Sequence, residues 1–268
     1  MHEPGPAPGS SFGADVSPPR FFVDAPLAAG GSVLLPAELA HHATRVLRLG
    51  DGAPIVLFNG HGGECAARLL TGGAAALAQV ESFDPIERES PLRLTLLQAL
   101  VAAEKLDWIV EKAVELGVAR ILVTATQRSV VRLDAARAAR RIRHWAEVVR
   151  AACCQCGRNR VPPVEFHDRF GSALAALPAN EPRLLLLPTA ERDLCPATVG
   201  ERAVLAVGPE GGFADTEVAQ AAREGFVAVR LGPRVLRTET AGLAALAALQ
   251  AASGDLARAV SRPMPGAS

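Results

Sequence analysis

"AVGPEGGFADTEVAQAAREGFVAVRLGPRVLRTETA", residues 206–241, decides how this chain folds. An apolar run ends in Gly-Pro, a glycine-rich loop follows, and the polar-apolar period then changes to that of a helix, with Asp215 or Thr216 expected as its N-cap. A second apolar run, "FVAVRLG", again ends in Gly-Pro. Strand, loop, helix and strand in this order argue for a parallel sheet. Arg234, Arg237, Thr238, Glu239 and Thr240 then crowd against "AGLAALAALQAA", residues 241–252. That run is too short and too rich in Ala for a membrane span. It reads as a helix buried on nearly all sides. Free backbone N–H groups collect at the start of such a helix, so the polar cluster marks a ligand site.

Working outward, residues 92–205 repeat the alternation. "LRLTLLQAL", "RILVTAT", "RLLLLP" and "AVLAVG" read as strands. "AEKLDWIVEKAVELG" reads as a helix with Leu106, Ile109, Val110, Ala113 and Leu116 on one face and Gly117 as its stop. "DAARAARRIRHWAEVVRAACCQCG" reads as a second, with Ala138, Ile142, Trp145, Val149 and Ala152 as its buried stripe. The result is a mostly parallel sheet with helices on both faces. Residues 20–84 read differently. "SVLLP", "APIVLFNG", "GECAARLL" and "AALAQVESF" are short strands between turns, and "PAELAHHATRVLRL" is helical, so this module is a small β-barrel. Residues 85–91 serve as a linker. Residues 1–19, rich in Pro, Gly, Ser and Ala, read as a disordered tail with no signal peptide, and 259–268 as a flexible end.

The chain has 268 residues, no net charge and no Tyr. Its bulk charge therefore does not advertise nucleic acid, but its local charge does. Residues 128–160 hold nine arginines against Asp134 and Glu147 alone. Either this is a solvated helix face or it meets phosphates, and the local excess favours phosphates. Five cysteines (65, 153, 154, 156 and 195) make no disulfide framework and suit a reducing cytoplasm. Cys153, Cys154 and Cys156 lack zinc spacing, and Cys153 and Cys156 continue the helix stripe, so no metal is expected. Of His41 and His42, helical spacing turns one to the barrel and one to solvent. The Gly-rich loop is neither a P-loop, since no Gly-Lys-Ser/Thr follows, nor a dinucleotide fingerprint, since Pro209 interrupts it. Three strand ends in Pro or Gly-Pro converge instead on one pocket, where ligands of open parallel sheets sit.

"GPEGG" followed by "LGPRVLRTETA" resembles the C-terminal signature of the SPOUT methyltransferases, in the family that methylates N3 of a uridine in 16S ribosomal RNA of the small subunit. "EKAVELGV", "CGRNRVP" and "HHATRVLRLGDG" match other stretches of that family, and the resemblance spans residues 20–258. It implies an α/β chain: an N-terminal PUA-like β-barrel that binds RNA, then a SPOUT domain over 92–258 whose end is threaded into a deep trefoil knot. It also implies a cytoplasmic homodimer and S-adenosylmethionine as cofactor. By motif, the cofactor is surrounded by Leu187 and Pro188; by Gly208, Pro209, Glu210, Gly211 and Gly212; and by Leu231, Gly232, Val235, Leu236, Arg237, Thr238, Glu239 and Thr240. One position departs from the family: Cys154 stands where an acidic residue is usual.

For such a reaction the uracil N3–H must lose its proton. The resemblance makes Arg237 the electrostatic partner of the developing carbonyl charge, and Glu239 either the general base or the group that positions Arg237. The alternative is that these two only pair with each other or with the dimer partner. The RNA candidates are Arg20, His42, Arg45 and Arg48 in the barrel, and Arg128, Arg158, Asn159 and Arg160 in the basic segment. Two rival readings are a ribose 2′-O-methyltransferase of the same fold and a non-catalytic RNA-binding protein. The barrel with "CGRNRVP" argues against the first, and the intact "GPEGG" and "RTET" against the second.

Overall fold

The computed structural model describes residues 17–73, 75–196 and 199–256. Most of the expected tail, and all of the C-terminal stretch expected to be flexible, lie outside them. The chain forms two compact units, with the boundary after Asp84 and the loop Asn59–Gly63 belonging to the second.

The first unit contains β1 (Arg20–Phe22), β2 (Ser32–Leu34), β3 (Pro54–Phe58), β4 (Glu64–Leu70) and β5 (Leu77–Asp84). They form one sheet in the order β1-β3-β4-β5-β2. β1, which carries no alternation over its three residues, pairs parallel to β3. This is the small β-rich module expected from the sequence, and among the described residues β1 and β2 stand at the two ends of the strand order. Its inner positions follow the period of two: Cys65, Ala67 and Leu69 of β4 are buried with Phe21, Val33, Ile55 and Val80. α1 (Ala37–His41) runs into a π-helical turn, His42–Val46. Ala43 points inward there, while His41, His42, Arg45, Val46, Leu47 and Arg48 are all exposed. Both histidines thus face outward, His42 lying edge-on to Phe21.

The second unit contains β6 (Arg93–Ala99), α2 (Ala103–Glu115), β7 (Arg120–Thr124), α3 (Ala135–Cys156), β8 (Val164–His167) and α4 (Phe170–Ala175). It continues with β9 (Arg183–Leu186), β10 (Arg202–Val207), α5 (Asp215–Arg223), β11 (Phe226–Val229) and α6 (Thr238–Ser253). Its six strands are all parallel, in the order β11-β9-β10-β6-β7-β8. β8 and α4 were not legible in sequence, because "VEFH" is a half-buried edge strand without alternation and α4 has only six residues. Every residue of β6 after Arg93 is buried, as a strand covered on both faces requires. α4 and α5 cover Leu97, Leu122, Leu185, Val204 and Ala206 on one face. α2 packs with α3 and α6 on the other, where Gly242 of α6 approaches Val207 and Leu96.

Local chemistry sets these helices. Asp134 caps α3 by accepting from the Arg137 N–H at 2.8 Å, and Gly157 ends it in the left-handed region. Trp145, Val149, Ala152 and Cys153 are its buried residues, whereas Ala138 and Ile142 are only half-buried. The N-cap of α5 is Ala214, not Asp215 or Thr216. Glu217 replaces a capping side chain by accepting from Ala214 N and Gln127 N, both at 2.9 Å. α6 is not buried all round. Gly242, Ala245, Leu246 and Leu249 face the sheet and α2, while Ala248, Ala251 and Ala252 are exposed.

The expected linker is tied down rather than loose. Arg88 donates to Gly157 O, the Ile86 carbonyl accepts from Asn159, and Ser90 donates to Gln250 of α6 at 2.6 Å.

Candidate active site

β11, β9 and β10 lie side by side, and the loops that follow their carboxyl ends line one cavity of about 520 Å³. Leu187 and Pro188 come from the loop after β9, Gly208 to Gly212 from the loop after β10, and Leu231, Gly232 and Val235 to Glu239 from the passage into α6. Thr240 is the one expected lining residue left outside: it is exposed on the first turn of α6, its N–H donating to Arg237 O. Helical spacing turns it away from its neighbours. Arg234 of the polar cluster lines the cavity too, and so do Lys105, Arg230 and Ala241, which were not expected there.

The loop after β10 is held from below and from the side. The Thr238 hydroxyl donates to Gly208 O at 2.6 Å and accepts from Gln98 Nε2, which β6 brings to 3.1 Å. Gln98 is fully buried, as a strand covered on both faces makes it. Arg128 donates to Gly211 O at 3.0 Å. A Cβ on Gly208 would stand 3.2 Å from Phe213, and one on Gly211 would stand 3.3 Å from the Arg128 Cβ. The glycines therefore let the main chain itself form the wall.

Charge gathers at the mouth. Lys105, in the first turn of α2, places Nζ 2.8 Å from Glu210 Oε1 and 3.6 Å from Glu239 Oε2. Its hydrogen bond to Glu210 raises the lysine pKa and holds the Glu210 carboxyl below its usual range. Glu239 Oε2 is shielded from solvent and, apart from the Lys105 ammonium at 3.6 Å, meets no hydrogen-bond donor among the described residues. Arg237 caps α6 with its backbone, and its exposed guanidinium makes no ion pair among the described residues, least of all with Glu239.

The RNA candidates divide. Arg45, Arg48 and His42 are exposed on the surface of the first unit. Arg20 does not: its side chain is largely buried, paired with Glu64 and laid over the Phe58 ring. Arg158 is 4% exposed and grips Glu89 together with the carbonyls of Val114 and Val118. Asn159 is buried as well, against the carbonyl of Ile86. These residues are internal fasteners, because their buried side chains pair within the chain itself. Arg160 remains exposed beside Glu87 at 3.1 Å. Cys153 is buried, and desolvation pushes its thiol up to about 12. No group of His, Cys, Asp and Glu could hold a metal among the described residues.

Residues 88–250 match the RNA methyltransferase domain family, and residues 35–78 match the RNA methyltransferase PUA domain. The chain belongs to the RNA methyltransferase family. The matched stretch holds every residue that lines the cavity. Among curated relatives, ribosomal RNA small subunit methyltransferase E of Mycobacterium bovis is 32% identical over 244 residues, covering 85% of this chain and 90% of the relative. The protein of that name from Bacillus subtilis is 28% identical, covering 79% and 87%. Among solved structures, the Neisseria gonorrhoeae ribosomal RNA small subunit methyltransferase E bound to S-adenosylmethionine superposes with a TM-score of 0.81 at 38% identity, covering 89% of this chain and 99% of that one. A putative methyltransferase from Legionella pneumophila, in complex with the same cofactor, gives 0.82 at 32%, covering 90% and 100%. The PUA-like first unit and the parallel α/β second unit thus form one family architecture.

Proposed function

We propose that this methyltransferase moves a methyl group from S-adenosylmethionine to N3 of a uridine in 16S ribosomal RNA of the small subunit. The observation that carries the reading is the cavity: three adjacent parallel strands deliver the motif loops to one place, in a fold shared with enzymes solved with this cofactor. The residues fit the group. Glycine-lined main chain offers peptide N–H and C=O for an adenine, Leu187, Val207 and Leu236 supply apolar walls, and Glu210 and Glu239 face the cavity as counter-charges for a sulfonium. When bound, the cofactor supplies a methyl already activated by positive charge, so the chain's residues need only bind, orient and manage a proton.

In this reading Glu239, short of a donor, accepts the N3–H of the base. Arg237, unpaired and exposed at the start of α6, stabilises the charge that spreads to the flanking carbonyl oxygens. Gln98 and Thr238 hold the Gly208 carbonyl and so keep the loop in register. His42, Arg45, Arg48, Arg128 and Arg160 are the residues left with surface for RNA phosphates. The passage from β11 at the sheet edge to α6 on β10 and α2 is where we place the threading of a trefoil knot. The exposed alanines of α6 and the half-exposed Trp108 of the adjoining α2 support a homodimer. No helix among the described residues is long and apolar enough to cross a membrane, in keeping with a cytoplasmic site of action.

Nucleoside analysis of small-subunit RNA from a deletion strain tests the reading. The expected result is loss of 3-methyluridine, restored by the wild-type gene and not by a variant unable to bind cofactor. An unchanged nucleoside profile would refute it.

A further inference from the structure

We propose that Lys105 is a positioning residue for the transfer step: it bridges the loop after β10 and the first turn of α6, and holds the Glu239 carboxylate turned into the cavity. The proposal rests on the methyl-transfer reading above. Lys105 alone among the lining residues comes from before β9; all the others belong to the three strand ends, their loops and α6. It sits on α2, so a rigid element outside the loops reaches the site. Its Nζ stands between two carboxylates, Glu210 Oε1 at 2.8 Å and Glu239 Oε2 at 3.6 Å.

That arrangement opposes two tendencies. Two carboxylates lining one small cavity repel each other, and an ammonium between them cancels the repulsion. A carboxylate in the first turn of a helix is also drawn toward that helix's own free N–H groups. Glu239 is in the first turn of α6, yet its Oε2 is shielded from water and, apart from the Lys105 ammonium, meets no hydrogen-bond donor among the described residues. Lys105 is the nearby cation that keeps it facing the cavity. The oxygen is thus a buried acceptor in need of a donor, and uracil offers one in N3–H. In the step, the N3 proton passes to Glu239 Oε2. The N3 electron pair forms the bond to the methyl carbon, and the carbon–sulfur pair leaves with sulfur, which becomes a neutral thioether. The proton on Glu239 is afterwards lost to water.

The test uses the full-length chain with Lys105→Met, Lys105→Arg, Glu239→Gln and the Lys105→Met/Glu239→Gln double variant. Calorimetry gives S-adenosylmethionine affinity, and single-turnover methylation of small-subunit RNA at saturating cofactor gives the rate. Lys105→Met is expected to slow transfer roughly 10- to 100-fold, at or below the low end of losing a general base outright. Cofactor affinity should change little. Lys105→Arg, which keeps the charge, should recover most of the rate, and the double variant should be no slower than Glu239→Gln alone. The proposal is overturned if Lys105→Met weakens cofactor binding while the saturated rate holds, or if the two substitutions multiply. A wild-type chain that binds cofactor and methylates no uridine N3 overturns the proposed function itself. A wild-type chain that methylates normally beside an unimpaired Lys105→Met overturns the positioning role alone.

Discussion

Replacing Arg158 by alanine should cost the second unit its stability and leave RNA contact untouched. The guanidinium donates four hydrogen bonds: two to the Glu89 carboxylate and one each to Val114 O and Val118 O. The Val114 carbonyl, at the end of α2, also accepts from the Gly117 N–H, whereas the Val118 carbonyl just beyond the helix accepts from Arg158. Burial lowers an arginine pKa, but the Glu89 hydrogen bond and charge outweigh it here, and the net direction is up. Removing one partner of a buried pair costs about 3–5 kcal/mol. Glu89 retains 24% exposure and can rehydrate in part, which favours the lower end; the Val118 carbonyl, deprived of the Arg158 donor, pushes the other way. At roughly 2–4 °C per kcal/mol for a domain of this size, Tm should fall by about 6–20 °C. Arg160→Ala is the control. Its pair with Glu87 is open to solvent and worth about 0–1 kcal/mol. Urea and thermal unfolding measure both variants, and RNA binding against salt is read at a temperature where both are folded. If Arg158→Ala unfolds within about 1 kcal/mol of wild type and lowers the salt slope by about one phosphate contact, the residue serves RNA and the internal role is wrong.

Arg237→Ala should fold and bind cofactor normally while single-turnover methylation slows about 100- to 1000-fold; a rate within a few-fold of wild type removes Arg237 from the mechanism. Thr238→Val keeps the volume but strips the Gly208 carbonyl of its donor and leaves the Gln98 amide only the Ala99 carbonyl, so stability should drop by about 1–3 kcal/mol with a measurable loss of cofactor affinity by calorimetry, both restored by Thr238→Ser. Arg45→Ala with Arg48→Ala should weaken RNA binding and flatten log K against log salt by about 0.9 per lost contact, leaving cofactor affinity unchanged. At pH 8, iodoacetamide should label exposed Cys195 in the native protein and spare Cys153, whose thiol burial holds protonated up to about 12. The sign for stability follows: above about pH 8.5 the unfolded thiol releases a proton that the folded one keeps, so this cysteine's contribution declines toward pH 12.

Much of the site was legible because it is built from main chain. Gly-Pro after an apolar run announces a strand that stops and a backbone that lies open, and of the residues named by the family motifs Leu187, Pro188, Gly208 to Gly212, Leu231, Gly232 and Val235 to Glu239 line the cavity. Lys105 was not legible: on "AEKLDWIVEK" it reads as one more solvated position of an amphipathic helix. Gln98 was missed for the reverse reason, since an amide near the end of "LRLTLLQAL" hides in a buried strand. The arginines of 128–160 were the hardest. A guanidinium facing phosphate and one facing buried carbonyls carry the same letter, and only burial separates Arg158 from Arg160.

By itself the sequence determined the local states. Period-two and period-3.6 apolar patterns choose strand or helix through side-chain geometry that each short segment carries alone. Asp134 and Gly157 mark helix ends for the same reason. The tertiary structure alone decided which strand lies beside which. β10 sits between β9 and β6 and β11 beyond β9, although chain order suggests neither. Adjacency in a sheet depends on hydrogen bonds and packing between residues far apart in the chain, which no local pattern encodes. That adjacency brings three loops to one cavity, sets Lys105 against Glu210 and Glu239, and turns Arg158 inward.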